Sequence, residues 1–183
     1  MTSTSNLAPH ELLPVAIMRC LAVVEYLGRS KSANSALTMQ KAAIFDSALK
    51  NPRIARRIVA ELAPDRLPEL DFHPVLYPAG EEHGDPINKR EITKIATLLS
   101  NAKLVELKPL DGALIIKPSI PEPLLEIENI PQRWQITLKA LKGLSSKSAT
   151  TLQNAALRES SHDAEQHIFI ARTPDIEGGN KGL

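Results

Sequence analysis

Cysteine is almost missing from this chain of 183 residues. The single Cys20 excludes an internal disulfide, which fits a reducing cytoplasm. Aromatic residues make up only 3%, so the core has to be aliphatic. An excess of either charge is missing too: the formal net charge is +1, and any nucleic-acid contact would have to come from a local patch. The first residues, MTSTSNLAPHELLP, have neither a basic region nor a long apolar run, so no signal peptide is expected. Arg19 and Glu25 interrupt the apolar stretches well before the roughly 20 residues that a membrane span needs. We therefore expect no membrane contact and a cytoplasmic location.

Catalytic motifs are also lacking. Histidines at 10, 73, 83, 162 and 167 do not pair with the cysteine at metal-ligand spacing, and there is no H-E-x-x-H. His83 beside Glu81 and Glu82 reads as loop polarity. Gly28-Arg29-Ser30-Lys31-Ser32 and Gly143-Leu144-Ser145-Ser146-Lys147-Ser148 resemble phosphate loops only superficially. Neither has a second glycine before its lysine, and both follow helices rather than a buried strand. Cys20 would need a histidine beside it to act as a nucleophile, and on an apolar helical stripe it reads as core. No catalytic residue, cofactor or metal is expected, and the chain does not read as an enzyme.

What is present is a clear run of helices and one hairpin. Hydrophobic content of 43% suffices for one core of ordinary domain size, with tails. Residues 1–10 read as a flexible N-terminus. Leu13, Ile17, Cys20, Leu21, Val24 and Leu27 recur at helical spacing, and Gly28 suits a left-handed helix end. Thr38 is placed to cap a helix over Met39 to Lys50. Asn51-Pro52 closes it, and Pro52 suits the start of a third helix to Leu62. So tight a break resembles a helix-turn-helix. Residues 63–86 are a proline-rich insert, in which Leu70 to Leu76 could form a short edge strand.

Asp85 or Asn88 then caps a helix to about Ser100, with Ile92, Ile95, Leu99 and Ala102 on its buried stripe. Two apolar runs, Lys103 to Lys108 and Ala113 to Lys117, flank Asp111-Gly112, a strong hairpin signal. A helix feeding straight into a hairpin is the core of a winged helix. The fold class expected is α+β, mostly α: a winged-helix-like domain over 11–120 with a β-hairpin wing. A C-terminal helical extension covers 121–159, with helices near Gln132 to Lys142 and Ser146 to Arg158. Residues 160–183 read as a largely disordered tail.

Two surfaces stand out. Lys89, Arg90, Thr93, Lys94, Thr97 and Asn101 lie on the outer side of the 88–100 helix. Arg53, Arg56 and Arg57, at i, i+3 and i+4, share one face of the preceding helix. Arg53, Arg56, Arg57, Lys89, Arg90 and Lys94 are thus the candidate nucleic-acid contacts. A solvated helix face is the plain alternative, and Glu91, Glu81, Glu82 and Asp85 dilute the field. Trp134, Ile136, Leu138 and Leu141 have little left to cover once the 11–120 core is complete. They pack either on their own domain or on a partner, and are the candidate partner interface.

Residues 25–54 carry a family resemblance. Glu25-Tyr26-Leu27-Gly28 ends an apolar helix, Leu37, Lys41, Phe45 and Asp46 form a Leu-x-x-x-Lys-x-x-x-Phe-Asp pattern, and Asn51-Pro52 follows. With the later winged helix, these resemble the middle components of bacterial ABC-three-component systems, the group that includes the Lamassu small subunit. The likeness covers about residues 11–120, and neither the 63–86 insert nor the region after Pro121 fits it. It implies a non-catalytic subunit of an anti-phage or anti-plasmid defence complex. Such a subunit bridges an SMC-like ABC ATPase and an effector, often a nuclease, with DNA contact through the assembled complex. The alternative is a free-standing winged-helix DNA-binding transcriptional regulator.

Overall fold

Asn51 ends one helix and starts the next. In the structure, a computed structural model that describes residues 13–29, 37–70 and 87–158, its backbone N–H donates to Ser47 O at 2.8 Å. Its side-chain Oδ1 accepts from Arg53 N at 2.9 Å. Helices α2 (Met39–Lys50) and α3 (Pro52–Leu62) are therefore joined without a linker. Pro52 fits the first helical position because no hydrogen bond is asked of its nitrogen there. Thr38 caps α2 by accepting from Lys41 N at 3.2 Å.

Helix α4 (Lys89–Asn101) is capped by Asn88, whose Oδ1 accepts from Glu91 N at 3.1 Å. Asp85, the other expected cap, lies outside the described residues. The helix stops because Lys103 takes a left-handed conformation, φ 61°. Leu104 N then donates to Leu99 O at 2.9 Å, and satisfies a carbonyl the helix would leave open. The chain passes directly into β1 (Val105–Leu110) and returns as the antiparallel β2 (Ala113–Pro118). Asp111 and Gly112, at φ 48° and 77°, supply the two positive values that a type I′ turn requires. Val105 and Ile116 at the base of the hairpin are buried, while Leu110 and Leu114 near its tip are exposed. Just before α2, Leu37 O accepts from Ile116 N at 2.9 Å and Thr38 bridges Ile115, so this short segment lies along β2.

Helix α1 (Leu13–Leu27) packs against α2, α4, β2 and the C-terminal elements, while Leu13, Val15 and Met18 remain exposed. Its expected stripe is rotated. Ala16, Arg19, Cys20, Val23, Val24 and Leu27 are buried, Leu13 is exposed, and Ile17 and Leu21 are partly buried. The rotation admits Arg19, which pairs with Asp46 of α2. Gly28 is likewise not left-handed. Its N–H donates to Val24 O at 2.9 Å, and a Cβ there would lie 2.5 Å from that oxygen, so the position needs glycine for room.

The C-terminal region packs on the same core. Helix α5 (Gln132–Leu141), a 3-10 turn (Lys142–Ser146) and α6 (Ala149–Leu157) follow the hairpin. Buried residues from Ala16 to Ala156 form one cluster, so residues 121–158 share the core of the preceding segment. Three cations stitch the halves by donating to carbonyls across them. Lys41 Nζ reaches Ser145 O at 2.8 Å, Arg66 Nη1 reaches Ala140 O at 3.1 Å, and Arg133 Nη2 reaches Leu49 O at 3.4 Å. Arg158 and Glu61 pair at 2.6 Å between α6 and α3.

The proline-rich insert begins as a 3-10 turn (Pro64–Leu70). Leu70, expected in an edge strand, instead ends that turn with its side chain fully buried. Residues 71–86, the expected flexible N-terminus and the expected disordered tail from 160 onward lie outside the described residues.

Candidate nucleic-acid interface

The outer face of α4 carries Lys89, Arg90, Thr93, Lys94, Thr97 and Asn101, all exposed. Its inner face buries Ile92, Ile95, Ala96 and Leu99, so helical periodicity alone turns the cations outward. Ala102, expected on this stripe, is exposed instead, because the helix ends at Asn101 and Ala102 belongs to its cap. The two threonine hydroxyls are tied back into the helix. Thr93 Oγ1 donates to Lys89 O at 2.7 Å and Thr97 Oγ1 to Thr93 O at 2.9 Å, which leaves their lone pairs outward as acceptors.

On α3, Arg53 and Arg56 are exposed and Arg57 is half-buried. The structure brings part of this set together. Lys50, the last residue of α2, lies 4.0 Å from Glu91 in the first turn of α4, so the junction between α2 and α3 faces the start of α4. Arg53, Lys89 and Arg90 belong to that corner, where two helix N-termini add positive partial charge. The helices then diverge. Arg56 and Arg57 continue along α3, which packs on α2, α5 and α6, while Lys94 continues along α4, which packs on α1, α2 and β1. The basic surface is thus a corner with two ridges rather than one flat patch. Glu91 lies within the corner; the acids at 81, 82 and 85 lie outside the described residues.

The hairpin offers two further lysines, but they are shared. Glu106 holds Lys108 at 2.7 Å and its cross-strand neighbour Lys117 at 3.0 Å. Hydrogen bonds from both lysines keep the Glu106 carboxyl below its usual range, and Glu106 in turn raises Lys108. The trio has one net positive charge, which Asp111 at the turn offsets, so the wing as a whole is neutral.

The proposed partner face is in a different situation. Trp134 is 5% exposed and Leu138 and Leu141 are fully buried, all within the chain's own core. Ile136 is partly buried against the same cluster. The apolar face of α5 is therefore covered by its own domain, because the 3-10 turn at 64–70 and helices α1, α2 and α3 pack on it.

The chain's buried polar chemistry lies between α1 and α2. Arg19, 1% exposed, meets Asp46 side-on: Nε donates to Oδ1 at 2.8 Å and Nη2 to Oδ2 at 2.9 Å. Cys20 beside them is fully buried. Burial and, to a lesser degree, the Asp46 carboxylate push its thiol up to about 12, against a smaller opposite pull from Arg19. A thiol held that high stays protonated near neutral pH, and the thiolate is the reactive form. The stability linked to this shift is intact below the ordinary thiol value of 9.0 and is lost as pH rises from there through about 12. At about pH 8, an aromatic-disulfide thiol probe should label Cys20 only as fast as the chain unfolds, and rapid labelling of the native protein would contradict this placement. Burial also holds the Lys41 ammonium below the ordinary lysine value.

Among the described residues no group of three or more His, Cys, Asp and Glu side chains could hold a metal ion. The five histidines all lie outside the described residues. Among those residues, too, no helix is long and apolar enough to cross a membrane. No family model matches the sequence, and comparisons with curated proteins and with solved structures found no match.

Proposed function

We propose that the chain is a non-catalytic winged-helix subunit of a bacterial defence complex that joins an SMC-like ABC ATPase to an effector, a nuclease in the simplest version. The observation that carries this reading is the passage of α4 straight into the β1–β2 hairpin, with the Leu37–Thr38 segment laid along β2. That order of helices and short strands is the one expected of a winged helix. The resemblance to ABC-three-component middle components gains support from where its pattern falls. Leu37, Lys41, Phe45 and Asp46 are all buried, and each has a structural task. Leu37 O holds β2, Lys41 ties α2 to the C-terminal region, Phe45 fills the core and Asp46 pairs with Arg19.

The test is co-expression with the chromosomal neighbours, followed by affinity purification through this chain. Recovery of an ATPase and an effector in fixed proportion is the expected outcome. Recovery of this chain alone, as a homodimer on a palindromic DNA site, would overturn the proposal.

The second reading, a free-standing DNA-binding regulator, is favoured by the exposed cations of α4. Both readings let the corner formed by Arg53, Lys89 and Arg90 meet a nucleic-acid backbone. Charge reversal at Lys89, Arg90 and Lys94 should then weaken duplex binding by the assembled complex. The salt slope should fall by about 0.9 for each phosphate that is no longer neutralised. Unchanged binding and slope would leave these residues as a solvated helix face.

A further inference from the structure

Between the C-terminal end of α1 and the segment that leads into α5 lies an open cleft of about 620 Å³. That volume is within the range of about 300–1,000 Å³ found for small-molecule sites. Leu27, Leu125, Ile127 and Leu138 give it aliphatic walls, and Glu126 and Glu128 stand on its lining. Glu25, which also lines it, is only 6% exposed. Its Oε2 accepts from Arg29 Nε at 2.6 Å. Its Oε1 is buried and has no hydrogen-bond partner among the described residues. A buried carboxylate oxygen left without a donor is costly, and folded proteins seldom keep one without a use.

The lining cations are already engaged. Besides Glu25, the Arg29 guanidinium donates to the carbonyl oxygens of Ile120, Pro121 and Glu122, at 3.2, 2.6 and 2.8 Å, and so fastens the outer wall. Lys142 Nζ rests 5.2 Å from the centroid of the Tyr26 ring. The cleft thus combines an unmet acceptor, two further carboxylates and an apolar wall. We propose that it binds a small amphipathic amine. Its ammonium group pairs with the Glu25 carboxylate at the wall of the cleft, and its hydrocarbon part lies against the partly exposed Leu125 and Ile127. The inference is independent of the complex-subunit reading, since it rests on the cleft alone.

Calorimetric titration of the full chain with hexylammonium chloride tests it, with hexanol and sodium hexanoate as matched probes. Hexylammonium should bind saturably at one site per chain. Hexanol and hexanoate should bind at least about tenfold more weakly, because neither supplies a charged donor to the carboxylate. Glu25→Gln should weaken hexylammonium by a similar factor. Glu25 also holds Arg29, so a second variant guards against a folding defect. Leu125→Trp fills the cleft from its partly exposed wall, leaves the Glu25–Arg29 pair in place, and should abolish binding. No saturable binding to the unaltered chain would overturn the proposal, as would hexanol binding as tightly as hexylammonium. Undiminished binding by Leu125→Trp would overturn it too.

Discussion

Asp46→Ala is expected to destabilise the chain by about 3–5 kcal/mol, the cost of removing one partner of a buried ion pair. Arg19 is 1% exposed and meets both carboxylate oxygens of Asp46. A guanidinium does not give up its proton inside a protein, so without Asp46 it would remain a charge beneath α2. With domain stabilities of about 5–15 kcal/mol, that loss takes a large share of the whole. Urea unfolding measures it as a shift in midpoint. The double variant Arg19→Met with Asp46→Leu should cost far less than Asp46→Ala alone, because it removes both charges and keeps the volume. A loss below about 1 kcal/mol for Asp46→Ala would match an exposed pair and contradict the buried one.

The contrast between this pair and the rest of α2 shows where sequence reading reaches its limit. The ends of α2, α3 and α4 are legible because they are set locally. Thr38, Asn51 and Asn88 each cap a helix through an oxygen two or three residues from the amide it accepts from. Asp111-Gly112 fixes the hairpin in the same local way. Arg19 and Asp46 are 27 residues apart and meet only through space. Periodicity sorts residues into apolar-inside and polar-outside, so it places Arg19 outside and turns the α1 stripe toward Leu13. The one available hint is that Arg19 and Glu25 interrupt an otherwise apolar helix. A helix so rich in apolar residues buries more than one narrow stripe, and charges on its buried faces need partners.

The candidate surfaces show the same division. That Lys89, Arg90 and Lys94 face outward follows from the 3.6-residue repeat and is read directly. That α3 and α4 meet at one corner and then diverge depends on what each packs against, which no local pattern carries. The stripe of Trp134, Leu138 and Leu141 reads as a face in need of cover. What covers it, the chain's own α1, α2 and α3, is a long-range outcome. The Leu37, Lys41, Phe45 and Asp46 pattern gains physical content from the fold. Four positions read as a family likeness are four inward-facing side chains of the segment that leads into and forms α2. A pattern of that kind reports how the fold is assembled, and it names no reacting group.

Phe45→Ala is expected to cost about 3–5 kcal/mol, as a large buried side chain replaced by a methyl leaves a cavity that its neighbours fill only in part. Phe45 is fully buried and is the only phenylalanine among the described residues. It stands on α2, which packs against α1, α3, α4, β2, α5 and α6. The core cluster that holds it consists mostly of alanine, valine, leucine and isoleucine. Phe45→Leu should cost clearly less, since a core tolerates a smaller change of volume better than truncation to a methyl. Both variants should move the urea midpoint while the slope stays constant, the sign of lost stability rather than an altered unfolded chain. The two classes of loss can then be told apart. A cavity at Phe45 should be partly relieved by intermediate-sized apolar side chains. The buried charge that loses its Asp46 partner in Asp46→Ala should be relieved chiefly when Arg19 is replaced as well. Equal costs for Phe45→Leu and Phe45→Ala would mean that the ring does not fill the centre of the core, and would undo the placement of α2 at the middle of the fold.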